Sequence, residues 1–192
     1  MFKLRIICVL LMTLLFVSGN FLTLERGDVA GRTNATARCP MPKTCHIYGF
    51  MEWYKVGSYC VKFFSELLNF TAAEFSCRNK VPGAHLVSVH NEEDNNLLVN
   101  IVKQANNSNP RVWLGAFELF KTETFLWLDG SFWDFEFWKP GEPSHKHTSE
   151  DCMEMYLSDA GRWNDETCGK KKSYICAFKW HTILKPGSEK ME

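Results

Sequence analysis

Two short oxygen-rich segments lie near each other in the last third of the chain. The first runs from Glu142 through Pro143 and Ser144 to Glu150, and the second is Trp163-Asn164-Asp165. Cys152 and Cys168 are close enough in sequence to tie the two together. Carboxylate, carboxamide and hydroxyl oxygens form a hard ligand set that suits Ca2+ far better than zinc or copper. Ca2+ takes about six to eight oxygens, so Glu142, Ser144, Glu150, Asn164 and Asp165 would leave positions open for water or for a ligand's oxygens. A ligand hydroxyl offers lone pairs to a cation and a proton to a carboxylate. Glu142 and Glu150 are expected to accept such protons, while Asn164 donates an amide N–H to a lone pair. His145 and His147 flank Lys146 in the same loop. They form at best a weak zinc pair, and in contact with a ligand they would make binding pH-sensitive.

The elements that must hold these residues are short. From Trp53 to Phe64 the text alternates as paired strands do, with a Gly57-Ser58 turn, and Cys60 sits where it can close the hairpin. Thr71-Ala-Ala-Glu74 predicts a capping box and a helix running through Cys77. HLVSVH, residues 85–90, predicts a strand, and Asn91 a cap for a second helix carrying Leu97, Leu98, Ile101 and Val102 on one face. Further strands are predicted at 112–116, 125–128, 152–157, 161–164 and 173–178, with an Asp129-Gly130 turn. The segment between that turn and Asp151 lacks helical periodicity, and a loop of that size is usually functional. The pattern is α+β.

Length allows one ordinary domain with extensions. Formal net charge is zero, from 22 Lys and Arg against 22 Asp and Glu, so an electrostatic grip on nucleic acid is not expected. The Lys170–Lys172 run reads as a solvated turn. Lys3 and Arg5 precede an apolar run from Ile6 to Val17, followed by Ser18 and Gly19. That is the layout of a secretory signal over 1–19, with a signal anchor as the alternative, and the run is too short to span a bilayer comfortably. No other long apolar stretch occurs, so no membrane span is expected. Residues 20–38 read as a flexible leader, 39–179 as the domain and 180–192 as a loose tail. Glycosylation acceptor patterns start at Asn34, Asn69 and Asn106, the last in the exposed-looking NNSNP stretch. In an oxidising compartment the cysteines imply disulfides. Of eight, Cys8 leaves with the signal, and the seven that remain are an odd number. One thiol stays free or bonds to another chain.

These landmarks, taken together and in order, resemble C-type lectin-like domains over roughly 45–178. The resemblance rests on Trp53 with Cys60, AAEFSC (72–77), HLVSVHN, WLGA (113–116), FLWLDGS (125–131), Trp138 to Glu142-Pro143, EDC (150–152), Trp163-Asn164-Asp165 and YICA (174–177). It extends to small secreted fish lectins and type II antifreeze proteins. The implied fold has two helices, two small antiparallel sheets and a long calcium-binding loop, stapled by disulfides. The implied pairs are Cys77–Cys176 and Cys152–Cys168, with Cys60 joined to Cys45 or Cys39. Cys45 is favoured, which leaves Cys39 for an interchain bond and a disulfide-linked homodimer. On the chain-entropy picture the long Cys77–Cys176 loop contributes about 4–5 kcal/mol and the short Cys152–Cys168 loop about 3. Pro143 is expected to be cis. Glu-Pro-Asn accompanies mannose-type ligands in the family and Gln-Pro-Asp galactose-type ones. Here Glu142-Pro143 leans towards mannose, but Ser144 replaces the asparagine and is too short to offer a carbonyl and an amide together. A second ion would use Asp151 and Glu118, although Thr122 stands where an acid is expected. The resemblance implies a secreted Ca2+-dependent glycan binder of innate defence and no enzyme. Ice binding, or protein binding without metal, are the competing functions.

Overall fold

In the computed structural model, which describes residues 41–144 and 150–180, the chain after Trp53 folds back on itself as a hairpin. Strand β1, Tyr54–Val56, pairs with β2, Tyr59–Leu68, in the register Val56↔Tyr59. Gly57 makes the turn with φ +54, in the left-handed region that favours glycine. Cys45–Cys60 staples the preceding segment to β2. Trp53, 6 % exposed, packs on Phe178 at 5.1 Å and Phe64 at 6.0 Å between ring centroids. The expected signal, leader, Asn34, Cys39, His145, His147 and the tail from 181 lie outside the described residues.

Helix α1 is Phe70–Lys80, and its start corrects the capping-box prediction. The cap is Asn69, whose Oδ1 accepts the Ala72 N–H at 2.8 Å. Glu74 does not reach back to the helix start. It is nearly buried and takes the Leu86 N–H at 2.9 Å and His85 Nδ1 at 2.7 Å, tying α1 to β3, His85–Leu86. The strand predicted over 85–90 thus shrinks to two residues. Beyond it Val87 still bonds both ways, its N–H to Ile175 and its carbonyl from Gly115. The side chains of Ser88 and His90 then turn to the carboxylates of Asp129 and Asp134. Helix α2, Glu92–Ala105, is capped as predicted, with Asn91 Oδ1 accepting the Asp94 N–H at 2.8 Å. Glu92, Glu93 and Asp94 in its first turn suit the positive end of the helix dipole.

The remaining strands are β4 (Arg111–Glu118), β5 (Phe125–Trp127), β6 (Cys152–Tyr156), β7 (Arg162–Glu166) and β8 (Lys172–Lys179), with a short 3-10 turn, Leu157–Asp159, before β7. Two antiparallel groups form, β1 and β3 with β2 and β8, and β5 with β4, β6 and β7. A parallel pairing of β4 with β8, Val112↔Ser173 and Trp113↔Tyr174, joins them into one sheet. The join is close. A Cβ on Gly115 would lie 2.3 Å from the Leu86 carbonyl oxygen, so only glycine fits there. Cys77–Cys176 fastens α1 to β8, and Cys152–Cys168 fastens β6 to the segment after β7.

Between 128 and 144 the chain has no helix or named strand, yet it is ordered by aromatic packing. Trp163, fully buried, is ringed by Phe135 at 5.5 Å, Trp127 and Trp138 at 5.9 Å and Trp133 at 6.1 Å. Edge and tilted contacts of this sort each add about 0.5–1.5 kcal/mol beyond area burial. Irregular backbone is thereby held with an isolated parallel bridge, Trp138 to Trp163, in place of a full ladder.

Candidate calcium and sugar site

Strand β7 carries the site, and α2 fixes its height. Gly161 has φ +81, and a Cβ there would strike Val99 Cγ2 at 2.4 Å. Asn95 of α2, fully buried, donates to the Gly161 carbonyl at 3.3 Å and accepts the Trp163 indole N–H at 2.9 Å. Trp163 is therefore a core anchor beneath the site. Strand alternation then separates its neighbours: Trp163 and Asp165 are buried, while Arg162, Asn164 and Glu166 are half-buried on the other face.

The long loop is laid along β7. The Trp163 N–H donates to Phe137 at 2.8 Å, the Lys139 N–H to Trp163 at 2.9 Å, and Arg162 Nη1 to the Trp138 carbonyl at 3.1 Å. A turn closed by the Glu142 N–H on the Lys139 carbonyl at 3.0 Å leads into a cis Glu142–Pro143 bond. The Ser144 N–H then reaches Asp165 Oδ1 at 3.2 Å. The Glu142-Pro143-Ser144 segment therefore meets Asp165 directly. Ser144 makes that contact with its backbone N–H.

Glu142 Oε2 is buried and has no hydrogen-bond partner among the described residues. A buried carboxylate oxygen without a donor is costly unless something positive approaches it. Together with the other oxygens this fits the chemistry of Ca2+. Convergence is incomplete: Glu150 is half-buried beside 145–149, and among the described residues no three His, Cys, Asp or Glu side chains form a metal-holding group. Of the second-ion residues, the Glu118 side chain closes a local turn, and Glu118 and Asp151 meet through their backbones. Glu118 Oε1 accepts the Glu123 N–H at 2.7 Å, closing the 119–124 turn, and the Asp151 carbonyl accepts the Glu118 N–H at 2.7 Å.

Asn164 departs from the sequence expectation. Its amide nitrogen donates to Glu154 Oε1 at 3.0 Å and to the Asp165 carbonyl, so both N–H groups are used within the protein. Glu154, fully buried, is the residue sequence reasoning missed. Lys172 Nζ stands 2.8 Å from Glu154 and 3.2 Å from Glu166, and Arg111 lies 3.5 and 3.6 Å from the same two. Burial pushes the Glu154 carboxyl up despite these cations. Burial also opposes ionisation of Glu166, but the Thr167 N–H and Lys172 hold it below the usual carboxylate range. Lys172 thus corrects the reading of 170–172 as a solvated turn: Lys170 and Lys171 are exposed, and Lys172 is buried in an ion pair. No local signal marked it, because β8 is buried at every position but its last.

Asn69 is exposed while capping α1, and Asn106 accepts from both the N–H and hydroxyl of Ser108. His90 also makes a serine–histidine–acid array, with Nδ1 2.7 Å from Asp134 and Nε2 3.1 Å from Ser88 Oγ. Ser88 donates its proton to Asp129 Oδ2 at 2.7 Å and is buried, so the array is structural.

A family model described as "Lectin C-type domain" matches residues 66–178. A protein named "Lectin" from Pleurodeles waltl is 38 % identical over 117 residues, 61 % of this chain and 68 % of its own length. A "C-type lectin mannose-binding isoform" from Oxyuranus scutellatus is 33 % identical over 67 % of this chain and 82 % of its own. The "galactose-specific lectin nattectin" of Thalassophryne nattereri is 31 % identical over 74 % and 82 %. Among solved structures, a calcium-independent type II antifreeze protein superposes with a TM-score of 0.59 at 27 % identity, covering 67 % of this chain and 92 % of that one.

Proposed function

This chain belongs to the C-type lectin domain family, and from that premise we propose that it is a secreted, calcium-dependent glycan-binding lectin of innate defence, leaning to mannose-type sugars. The observation that carries the reading is the Ser144 N–H to Asp165 Oδ1 bond, which joins the Glu-Pro-Ser segment to Trp-Asn-Asp, with Glu142 Oε2 buried and without a hydrogen-bond partner among the described residues. Glu142, Ser144, Glu150, Asn164 and Asp165 would hold the ion. When bound, Ca2+ supplies a positive centre that polarises sugar hydroxyls. Glu142 and Glu150 accept hydroxyl protons, and the Asn164 carboxamide offers its oxygen. The buried Trp163 and Asn95 keep this rim at a fixed height. Glu142-Pro143 supports the mannose lean, as does the relative named mannose-binding; the relative named galactose-specific argues the other way.

A single shallow site of this kind is weak, and linked copies gain through avidity. Cys39, left over when Cys45 takes Cys60, is the proposed link in a disulfide-bonded homodimer. Secretion is supported by the 1–19 signal pattern and by the disulfides.

The test is retention on immobilised mannose with millimolar Ca2+, with and without EDTA, for the wild type and Glu150→Ala. Retention lost both on EDTA and in a folded Glu150→Ala protein supports the reading. Retention that persists in either case overturns the site. The second reading is metal-independent binding. It is favoured by the absence of a three-ligand group among the described residues and by the calcium-independent antifreeze fold match. Thermal hysteresis without sugar retention would establish its ice-binding form.

A further inference from the structure

We propose that Glu154 is a positioning residue that fixes the sense of the Asn164 carboxamide, nitrogen inward and oxygen outward towards the ligand. The proposal rests on the calcium-site reading above and deepens it. The two ends of a carboxamide have nearly the same shape and are told apart by what they face. One end of Asn164 faces Glu154 Oε1 at 3.0 Å and the Asp165 backbone carbonyl. The backbone carbonyl is an acceptor only, and so is Glu154 as the carboxylate paired with Lys172 and Arg111, so that end is the N–H2. The oxygen is thereby committed to the opposite side. A reversed amide would set oxygen against two oxygens inside and present N–H groups to an incoming cation.

Glu154 can impose this because it is itself immobilised. It lies opposite Asn164 in the β6–β7 register and is fully buried. Lys172 Nζ holds its Oε2 at 2.8 Å, and Arg111 Nη1 approaches its Oε1 at 3.5 Å. Lys172 and Arg111 are shared with Glu166, so the carboxylate is gripped from two strands beyond its own. The arrangement has a second consequence. With both N–H groups used inward, Asn164 serves the ligand as an oxygen, and donation to a sugar hydroxyl must come from another group.

The test uses the full chain and the Glu154→Gln variant, which keeps the shape but can present N–H2 as readily as oxygen. Ca2+ affinity is measured by calorimetry, and the Asn164 side-chain N–H2 protons are followed by 15N NMR in calcium-free protein. Loss of an outer partner of this kind typically weakens metal binding about 10–100-fold. A drop of at least tenfold, with native near-UV circular dichroism and loss of the protected Asn164 signal, is the expected result. Unchanged affinity in the folded variant overturns the positioning role and leaves the calcium site standing. If Glu154→Gln does not fold, the wild-type signal decides: slow exchange with a contact to Glu154 upholds the proposal, and solvent-like exchange overturns it. No calcium uptake by the wild type refutes the reading of the site, and this proposal with it.

Discussion

Replacing Asn95 with alanine removes the contact between α2 and the strand that carries Trp163, Asn164 and Asp165. The Trp163 indole N–H, in a fully buried ring, loses its acceptor at 2.9 Å, and a buried unsatisfied donor costs about 1–3 kcal/mol. The Gly161 carbonyl loses a donor at 3.3 Å, worth about 0.5–1.5 kcal/mol. A small cavity adds to this, since Val99 and Gly161 are already in contact and cannot collapse further. The two hydrogen-bond losses alone come to about 1.5–4.5 kcal/mol, a large part of the stability of about 5–15 kcal/mol typical of a domain. Urea unfolding followed by tryptophan fluorescence, with disulfides intact, measures it. Asn95→Asp sharpens the case. Its carboxylate still accepts from Trp163 but faces the Gly161 oxygen without a proton, so its folded-state pKa is raised. A raised carboxyl pKa means the stability deficit is present at neutral pH and shrinks as pH falls through that pKa. A loss under about 1 kcal/mol for Asn95→Ala, within the range of ordinary surface changes, would refute the idea that this bond sets the strand.

Two further outcomes follow from the same structure. Burial works against ionisation of Asp129, but hydrogen bonds from Ser131, Ser88 and Tyr59 hold its carboxyl below the usual range. Its stabilising effect is therefore present above the unfolded pKa of about 3.9 and is lost as pH falls through the lower folded value. Asp129→Asn is expected to lower stability at pH 7 and flatten the acid limb below about pH 4, and wild-type and variant profiles that run parallel would count against it. Gly115→Ala places a methyl 2.3 Å from the Leu86 carbonyl oxygen; overpacking against backbone costs about 1–3 kcal/mol or more, and an unchanged thermal midpoint would show that β3 can retreat.

Much of this was legible in the sequence, for reasons that differ by residue. The hairpin was visible because Gly57-Ser58 interrupts an alternating run, and the second helix because Asn91 caps an apolar stripe. The family landmarks led to the cis Glu142–Pro143 bond. What was hidden depended on partners distant in sequence. Glu74 looked like half of a capping box, yet His85 and the Leu86 N–H claim it once β3 packs on α1. Lys172 looked solvated because its neighbours Lys170 and Lys171 are; only the strand register brings it to Glu154. Asn164 was read as a hydroxyl donor, since nothing local reveals an acceptor on the adjoining strand.

The position of β8 bears on how the domain is made. It is the eighth strand in sequence, yet it lies in the interior of the sheet, bonded to β2, β3 and β4. During vectorial synthesis, β2 and β4 must wait with bare edges until the segment bearing Cys176 emerges. Non-local pairing of this kind folds slowly and leaves sticky intermediates. The nascent chain is therefore most vulnerable to misassembly just before its last strand arrives, and short deletions inside 172–179 would harm folding out of proportion to the few residues removed.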